Sequence, residues 1–79
     1  KAVLEHATSV LEKNWEGKIL EEKARRFCAD NNIKVGDYFM ALRVAVTGKT
    51  MTPPLWDVME VLGKKETISR LKSAYETNS

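Results

Sequence analysis

The sequence predicts an all-α domain, a compact bundle of about five short helices, and three observations carry that prediction. Apolar residues recur at three- and four-residue spacing along most of the chain, the period of an amphipathic helix. Between these stretches, Asn31 and Asn32, Gly48, Thr52 with Pro53, and Gly63 supply helix stops and starts. Seventy-nine residues also carry apolar surface for one core only. A lone strand in so short a chain finds no neighbour to complete its backbone hydrogen bonds.

The first helix is carried by Val3, Leu4, Ala7, Val10 and Leu11 and ends near Asn14. A second is expected to begin near Trp15, with Leu20, Ala24, Phe27 and Cys28 on one face and Glu16, Glu21, Glu22, Lys23, Arg25 and Arg26 around the rest. Asp30, Asn31 and Asn32 break it, because Asn tolerates the left-handed conformation that ends a helix. The third segment, "DYFMALRVAVTG", has strand propensity in Leu42, Val44 and Val46. Asp37 as a cap, Gly48 as a stop and the shared helical face of Phe39, Leu42 and Val46 tip it to helix. Its apolar character runs nearly all round, which predicts the buried centre of the domain.

Thr52 followed by Pro53 reads as the next helix start, a hydroxyl cap and then a ring fixed at helical φ. Leu55, Val58, Met59 and Leu62 form its stripe and Gly63 its end. The last helix uses Ile68, Leu71 and Tyr75, leaving Lys64, Lys65, Arg70 and Lys72 in water, and residues 76–79 are expected to fray. Residues 1–79 thus form a single helical domain without repeats. Opening on Lys rather than Met, it is expected to be a piece of something longer.

Composition narrows the function. The net charge is +2, which excludes a strongly basic arm. Residues 1–32 carry six basic and six acidic side chains, whereas residues 33–79 carry seven basic against five acidic. The mildly basic second half permits a polyanion partner. Cys28 is the only cysteine, so no disulfide forms within the chain, and it fits a reducing, cytoplasmic compartment. Its apolar neighbours Phe27 and Ala29 point to a buried inert thiol. His6 is also alone, which leaves no metal set and no triad. No run approaches the ~20 apolar residues of a membrane span.

"GKT" at residues 48–50 looks like the tail of a phosphate-binding loop. That pattern requires Gly at position 43, where Arg stands, and small residues where Val44, Ala45 and Val46 stand. The triplet is coincidence. The acidic residues lie mostly on helix surfaces, without the paired cleft set that acid–base chemistry needs, so no catalytic residue and no cofactor is assigned within this chain. Two residues stand out. Arg43 is the only charge between Tyr38 and Val46. It either makes a satisfied ion pair, with Asp37 or a glutamate of the second helix, or aims a guanidinium at a base edge or a phosphate. Trp56 lies about 100° from Leu55 at helical advance, off the stripe centre. It is either a core tryptophan or a ring presented to a stacked base.

The order of the motifs resembles the C-terminal anticodon-binding domain of glutamyl-tRNA synthetase. The likeness runs through "WEGKILEEKARRF", "NIKVGDYFMALRVAVTG", "TPPLWDVMEVLGK" and "RLKSA", from about Leu11 to Tyr75. Its most specific part is "LRVAVTG" followed, nine residues after the Arg, by "TPPLW" and then "LGK". The resemblance implies a non-catalytic piece of a class I glutamate–tRNA ligase, whose catalytic domain, elsewhere in the same chain, uses ATP and Mg²⁺. It implies that Arg43, Thr52, Pro53, Leu55 and Trp56 face the anticodon bases of tRNA(Glu), and in some parents tRNA(Gln). Lys49, Lys64 and Lys65 are candidate phosphate contacts. The family often has Gly where Pro54 stands, and commonly Phe in place of Trp56; the first change stiffens the turn and the second enlarges the ring. A second anticodon reader of the family lies upstream of this chain. The expected module is monomeric, and the rival expectation is a helical protein-interaction domain.

Overall fold

The computed structural model describes residues 2–76. They form five helices: α1 (Ala2–Lys13), α2 (Gly17–Asn31), α3 (Val35–Thr47), α4 (Leu55–Leu62) and α5 (Lys64–Glu76). No strand occurs among the described residues, and no helix there is long and apolar enough to cross a membrane. α3 touches every other helix, α1 packs on α2, α3 and α5, and α4 leans on α3 and α5. The near-equal extents of 29 × 29 × 26 Å suit short helices crossing around one core.

That core joins Leu4, Ala7, Val10 and Leu11 of α1 to Leu20, Ala24 and Cys28 of α2, with Tyr38, Leu42 and Val46 of α3 between them. Leu55 and Met59 of α4 and Leu71 of α5 close it. The α3 stripe is therefore Tyr38, Leu42 and Val46, with Phe39 only partly buried. α3 is central but not enclosed: Met40 and Val44 remain exposed, in an open groove they share with Leu4 of α1 and Ala74 of α5. Tyr38 is fully buried, and its hydroxyl shares a 2.7 Å hydrogen bond with His6 Nδ1. The His6 ring stacks on Phe27 at 4.2 Å. Burial first, and the Lys23 charge second, hold His6 below its ordinary pKa. Burial pushes both the Tyr38 phenol and the Cys28 thiol up.

The helix ends follow backbone rules more than side-chain caps. Asn32 (φ 56°) and Gly48 (φ 74°) take the left-handed conformation, and their amides close α2 and α3 on Cys28 O and Val44 O. Gly63 ends α4, also at positive φ. Trp15 lies outside α2, which begins at Gly17. α3 begins two residues before Asp37, which stands in its first turn while Lys34 holds the cap position.

The start of α4 differs most from expectation. Thr52 does not cap it and Pro53 is not its first residue. Pro54 is the N-cap, at φ −47° and ψ 132°, and its carbonyl accepts the first helical bond, from Val58 N, at 3.2 Å. The cause is the second proline: the residue before a proline is driven out of the α region, so Pro53 cannot open a helix that Pro54 follows. The Thr52 hydroxyl instead donates to Pro53 O at 2.9 Å.

The cations of α5 also do more than face water. Lys64 Nζ donates to Glu12 O at 3.0 Å, at the C-terminal end of α1. Arg70 Nη1 donates to Val46 O at 2.8 Å, at the C-terminal end of α3. Both supply a positive group where helix carbonyls lack partners. Lys72 pairs with Glu12 at 3.2 Å, so α5 is tied to α1 and α3 by charge as well as packing.

Candidate nucleic-acid interface

Arg43 projects from α3 one turn after Phe39 and one turn before Thr47. The residue is half-buried, and its Nε is buried with no hydrogen-bond partner. Neither anticipated ion pair forms: among the described residues no carboxylate and no carbonyl engages this side chain. Glu21 of α2 pairs with Arg25 instead, at 3.1 Å. A guanidinium held on a rigid helix without an internal acceptor is disposed to take one from outside the chain.

The loop from Gly48 to Pro54 starts from that same turn of α3. The Thr47 hydroxyl donates to Arg43 O at 2.7 Å and accepts Lys49 N–H at 3.1 Å, binding the loop's first residues to the helix end. Lys49, Thr52 and Pro53, with Thr47, Val58 and Arg70, line a groove of about 310 Å³. Met51 stands in its wall at 87% exposure.

Leu55 and Trp56 line a different groove, of about 330 Å³, on the α2 side of α4. Gly17, Leu20, Val35 and Phe39 complete most of its apolar wall. Leu55 is buried and belongs to the core as much as to the surface. Trp56 is half-buried, its ring 4.9 Å from that of Trp15 and tilted 47° to it. Gly17 meets the five-membered ring of Trp56 so closely that a Cβ there would stand 2.9 Å from Trp56 Cδ2. Trp56 is thus both a packing residue and a groove wall.

The sequence-derived candidates therefore fall into four places. Thr52, Pro53 and Lys49 share the loop groove, Leu55 and Trp56 share the apolar groove, and Arg43 lies on the α3 row between them, since Thr47 lines the first and Phe39 the second. Lys64 and Lys65 lie elsewhere, in a groove with Glu12 and Ile68, and the Lys64 ammonium is engaged by Glu12 O. Sequence reasoning missed Gly17 and Phe39 in the apolar groove and Arg70 in the loop groove. Arg70 had a cationic signal, but nothing in the pattern told its contact with α3 from simple solvation.

A family model described as the anticodon binding domain matches residues 1–75. The chain is 42% identical over 69 residues to a glutamate–tRNA ligase of Roseiflexus sp. (strain RS-1), which covers 87% of the chain and 14% of that relative. It is 41% identical over 61 residues to glutamate–tRNA ligase 2 of Rhodospirillum centenum, 77% of the chain and 13% of the relative. A third relative, glutamate–tRNA ligase 2 of Parvibaculum lavamentivorans, is 38% identical over 74 residues, 91% of the chain and 15% of the relative. The chain thus spans about one seventh of the length of these curated relatives. No solved structure matches it. With a match that runs from its first residue almost to the end of α5, the chain belongs to the anticodon-binding domain family.

Proposed function

We propose that this chain is the anticodon-loop-binding module of a glutamate–tRNA ligase. It would hold tRNA(Glu), and in some parents tRNA(Gln), for ATP- and Mg²⁺-dependent aminoacylation by a catalytic domain of the same monomeric, cytoplasmic enzyme. The observation that carries the reading is Arg43, half-buried, with its Nε buried and unpartnered among the described residues, on the helical row between two grooves. Single-stranded loops are bound by splaying bases onto side-chain planes and bonding their exposed edges. Arg43 supplies the planar donor, Trp56 an aromatic plane, and Thr52 and Pro53 a corner whose backbone two prolines stiffen. Lys49 stands in the loop groove with Arg70, where loop phosphates would lie, while Lys64 and Lys65 would reach phosphates only outside these two grooves.

A test separates function from packing at Arg43. Arg43→Met keeps the aliphatic stem and removes an unpaired polar group whose burial costs about 1–3 kcal/mol. The variant should be as stable as the parent sequence or more so, yet bind an anticodon stem-loop of tRNA(Glu) at least tenfold more weakly. Lower stability with unchanged RNA affinity would assign Arg43 to the core. The rival reading, a protein-interaction domain, has in its favour the exposed Met40 and Val44 on α3. Salt distinguishes the two, since phosphate contacts make affinity fall steeply with ionic strength and apolar helix docking does not.

A further inference from the structure

We infer that Arg70 is a positioning residue of the RNA interface: from α5 it holds the last turn of α3, and so fixes the direction in which the loop bearing Lys49, Thr52 and Pro53 leaves the helix that bears Arg43. The inference rests on the RNA-binding reading above and adds to it a residue that acts without touching a base. The last carbonyls of a helix have no partner within it. At the end of α3 the chain turns at Gly48, whose amide closes on Val44 O at 2.8 Å, and Val46 O is left to be met from elsewhere. Arg70 Nη1 donates to it at 2.8 Å. The guanidinium is held on a second edge by Glu66, one turn earlier on α5, whose Oε2 accepts from Nε at 2.8 Å. The helix beneath it is fixed too, since Leu71 beside it and Thr67, three residues earlier, are fully buried.

Two observations favour orientation over stability or direct phosphate binding. The Arg70 and Glu66 side chains are 42% and 52% exposed, and a pair so placed adds little to stability. The same pair sets a carboxylate against the guanidinium, so an incoming phosphate meets a neutralised group there. What Arg70 does hold is the turn from which the loop departs. Thr47, next to Val46, donates its hydroxyl to Arg43 O at 2.7 Å and accepts Lys49 N–H at 3.1 Å. Among the described residues, the hydrogen bonds that fasten this loop to helices lie at its two ends, there and at Pro54 O, which accepts Val58 N at 3.2 Å. The Thr52 hydroxyl, between them, bonds its own neighbour, Pro53 O. Prolines stiffen the α4 end, so the α3 end is the one that Arg70 decides. Releasing Val46 O lets the last turn of α3 fray, and Thr52 and Pro53 then lose their fixed place relative to Arg43.

The experiment measures binding of an anticodon stem-loop of tRNA(Glu) to the chain and to its Arg70→Met and Arg70→Lys variants, at a temperature where circular dichroism shows all three folded. Met keeps the stem and removes the donors, and Lys keeps the charge but not the two-edged fork. Both should bind roughly three- to thirty-fold more weakly, the range of an indirect coupling, with the salt dependence of the parent sequence. Amide hydrogen exchange of the RNA-free variants should be faster at Gly48 and Lys49, whose amides bond the α3 end, and not at Leu11 in the core. A weakening in Arg70→Met that Arg70→Lys repairs, with a salt slope shallower by about 0.7, would make Arg70 a phosphate contact and overturn the inference. So would melting points that fall while the folded variants bind as the parent sequence does, which marks a residue of the fold alone. Equal binding by all three, with Arg43→Met still weak, removes Arg70 from the interface and leaves the RNA-binding reading standing. If the parent sequence does not bind the stem-loop even at low salt, that reading fails and the inference fails with it.

Discussion

The buried Nε of Arg43 finds no acceptor among the described residues, and a donor left so carries a cost that a bound group can relieve. The sequence made Arg43 conspicuous as a lone charge in an apolar run, but its lack of an ion pair became visible only with Glu21 committed to Arg25. Tyr38 shows the opposite limit. The expected face held Phe39 with Leu42 and Val46, whereas the fully buried residue is Tyr38, whose phenol needs a partner there. That partner is His6, 32 residues away, and no local pattern reports it. The pair has a pH consequence. His6 is held below its ordinary value of 6.5, so as pH falls past that value the unfolded chain takes up a proton the folded chain resists. The contribution of His6 is complete above that pH and is lost progressively as pH drops towards the lowered folded value. Denaturant titrations at about pH 7.5 and about pH 5.5 should show lower stability in acid, and His6→Gln should shrink the difference.

Among the elements, helix existence was legible and helix starts were not. The five periodic stretches became five helices because apolar spacing and the stops at Asn32, Gly48 and Gly63 pointed to the same answer. The start of α4 failed because the Thr-Pro signal ignored the next residue, and Pro54 overrules it. That shift matters to the site: Thr52 and Pro53 sit in the loop groove, while Leu55 and Trp56 sit in the other one. Two glycines test the element-level reading with opposite signs. Gly36 lies inside α3 with nothing within 4 Å of an added Cβ, so Gly36→Ala should stabilise the domain by about 0.5–1 kcal/mol. Gly48 has equal space but φ +74°, so Gly48→Ala should cost about 1–2 kcal/mol. Urea unfolding midpoints of the two variants should move apart.

In the whole molecule, α5 is what holds the bundle shut. It contributes the fully buried Leu71 and Thr67 and also ties the ends of α1 and α3 through Lys64 and Arg70. The fully buried threonine and the inter-helix cations were not legible, since a polar residue is assigned to water until the fold shows a carbonyl beside it. A domain of this size has about 5–10 kcal/mol of stability in all. Leu71→Ala should remove about 2–5 kcal/mol of that, enough to leave part of the population unfolded at 37 °C. Lys72→Ala, which loses an exposed pair with Glu12, should leave the melting curve where it was. Circular dichroism melts of both variants distinguish the packing contribution of α5 from its charge contribution.

The chain has two tryptophans, and the fold brings Trp15 and Trp56 to 4.9 Å of each other beside the apolar groove. All of the molecule's indole emission and its near-ultraviolet coupling therefore originate at one junction, where the α1–α2 connection meets the first turn of α4. The domain carries an optical reporter at the place where Trp56 is proposed to face the anticodon loop. Its colour and intensity register events there before any label is attached, and stay silent to events at the far end of α5.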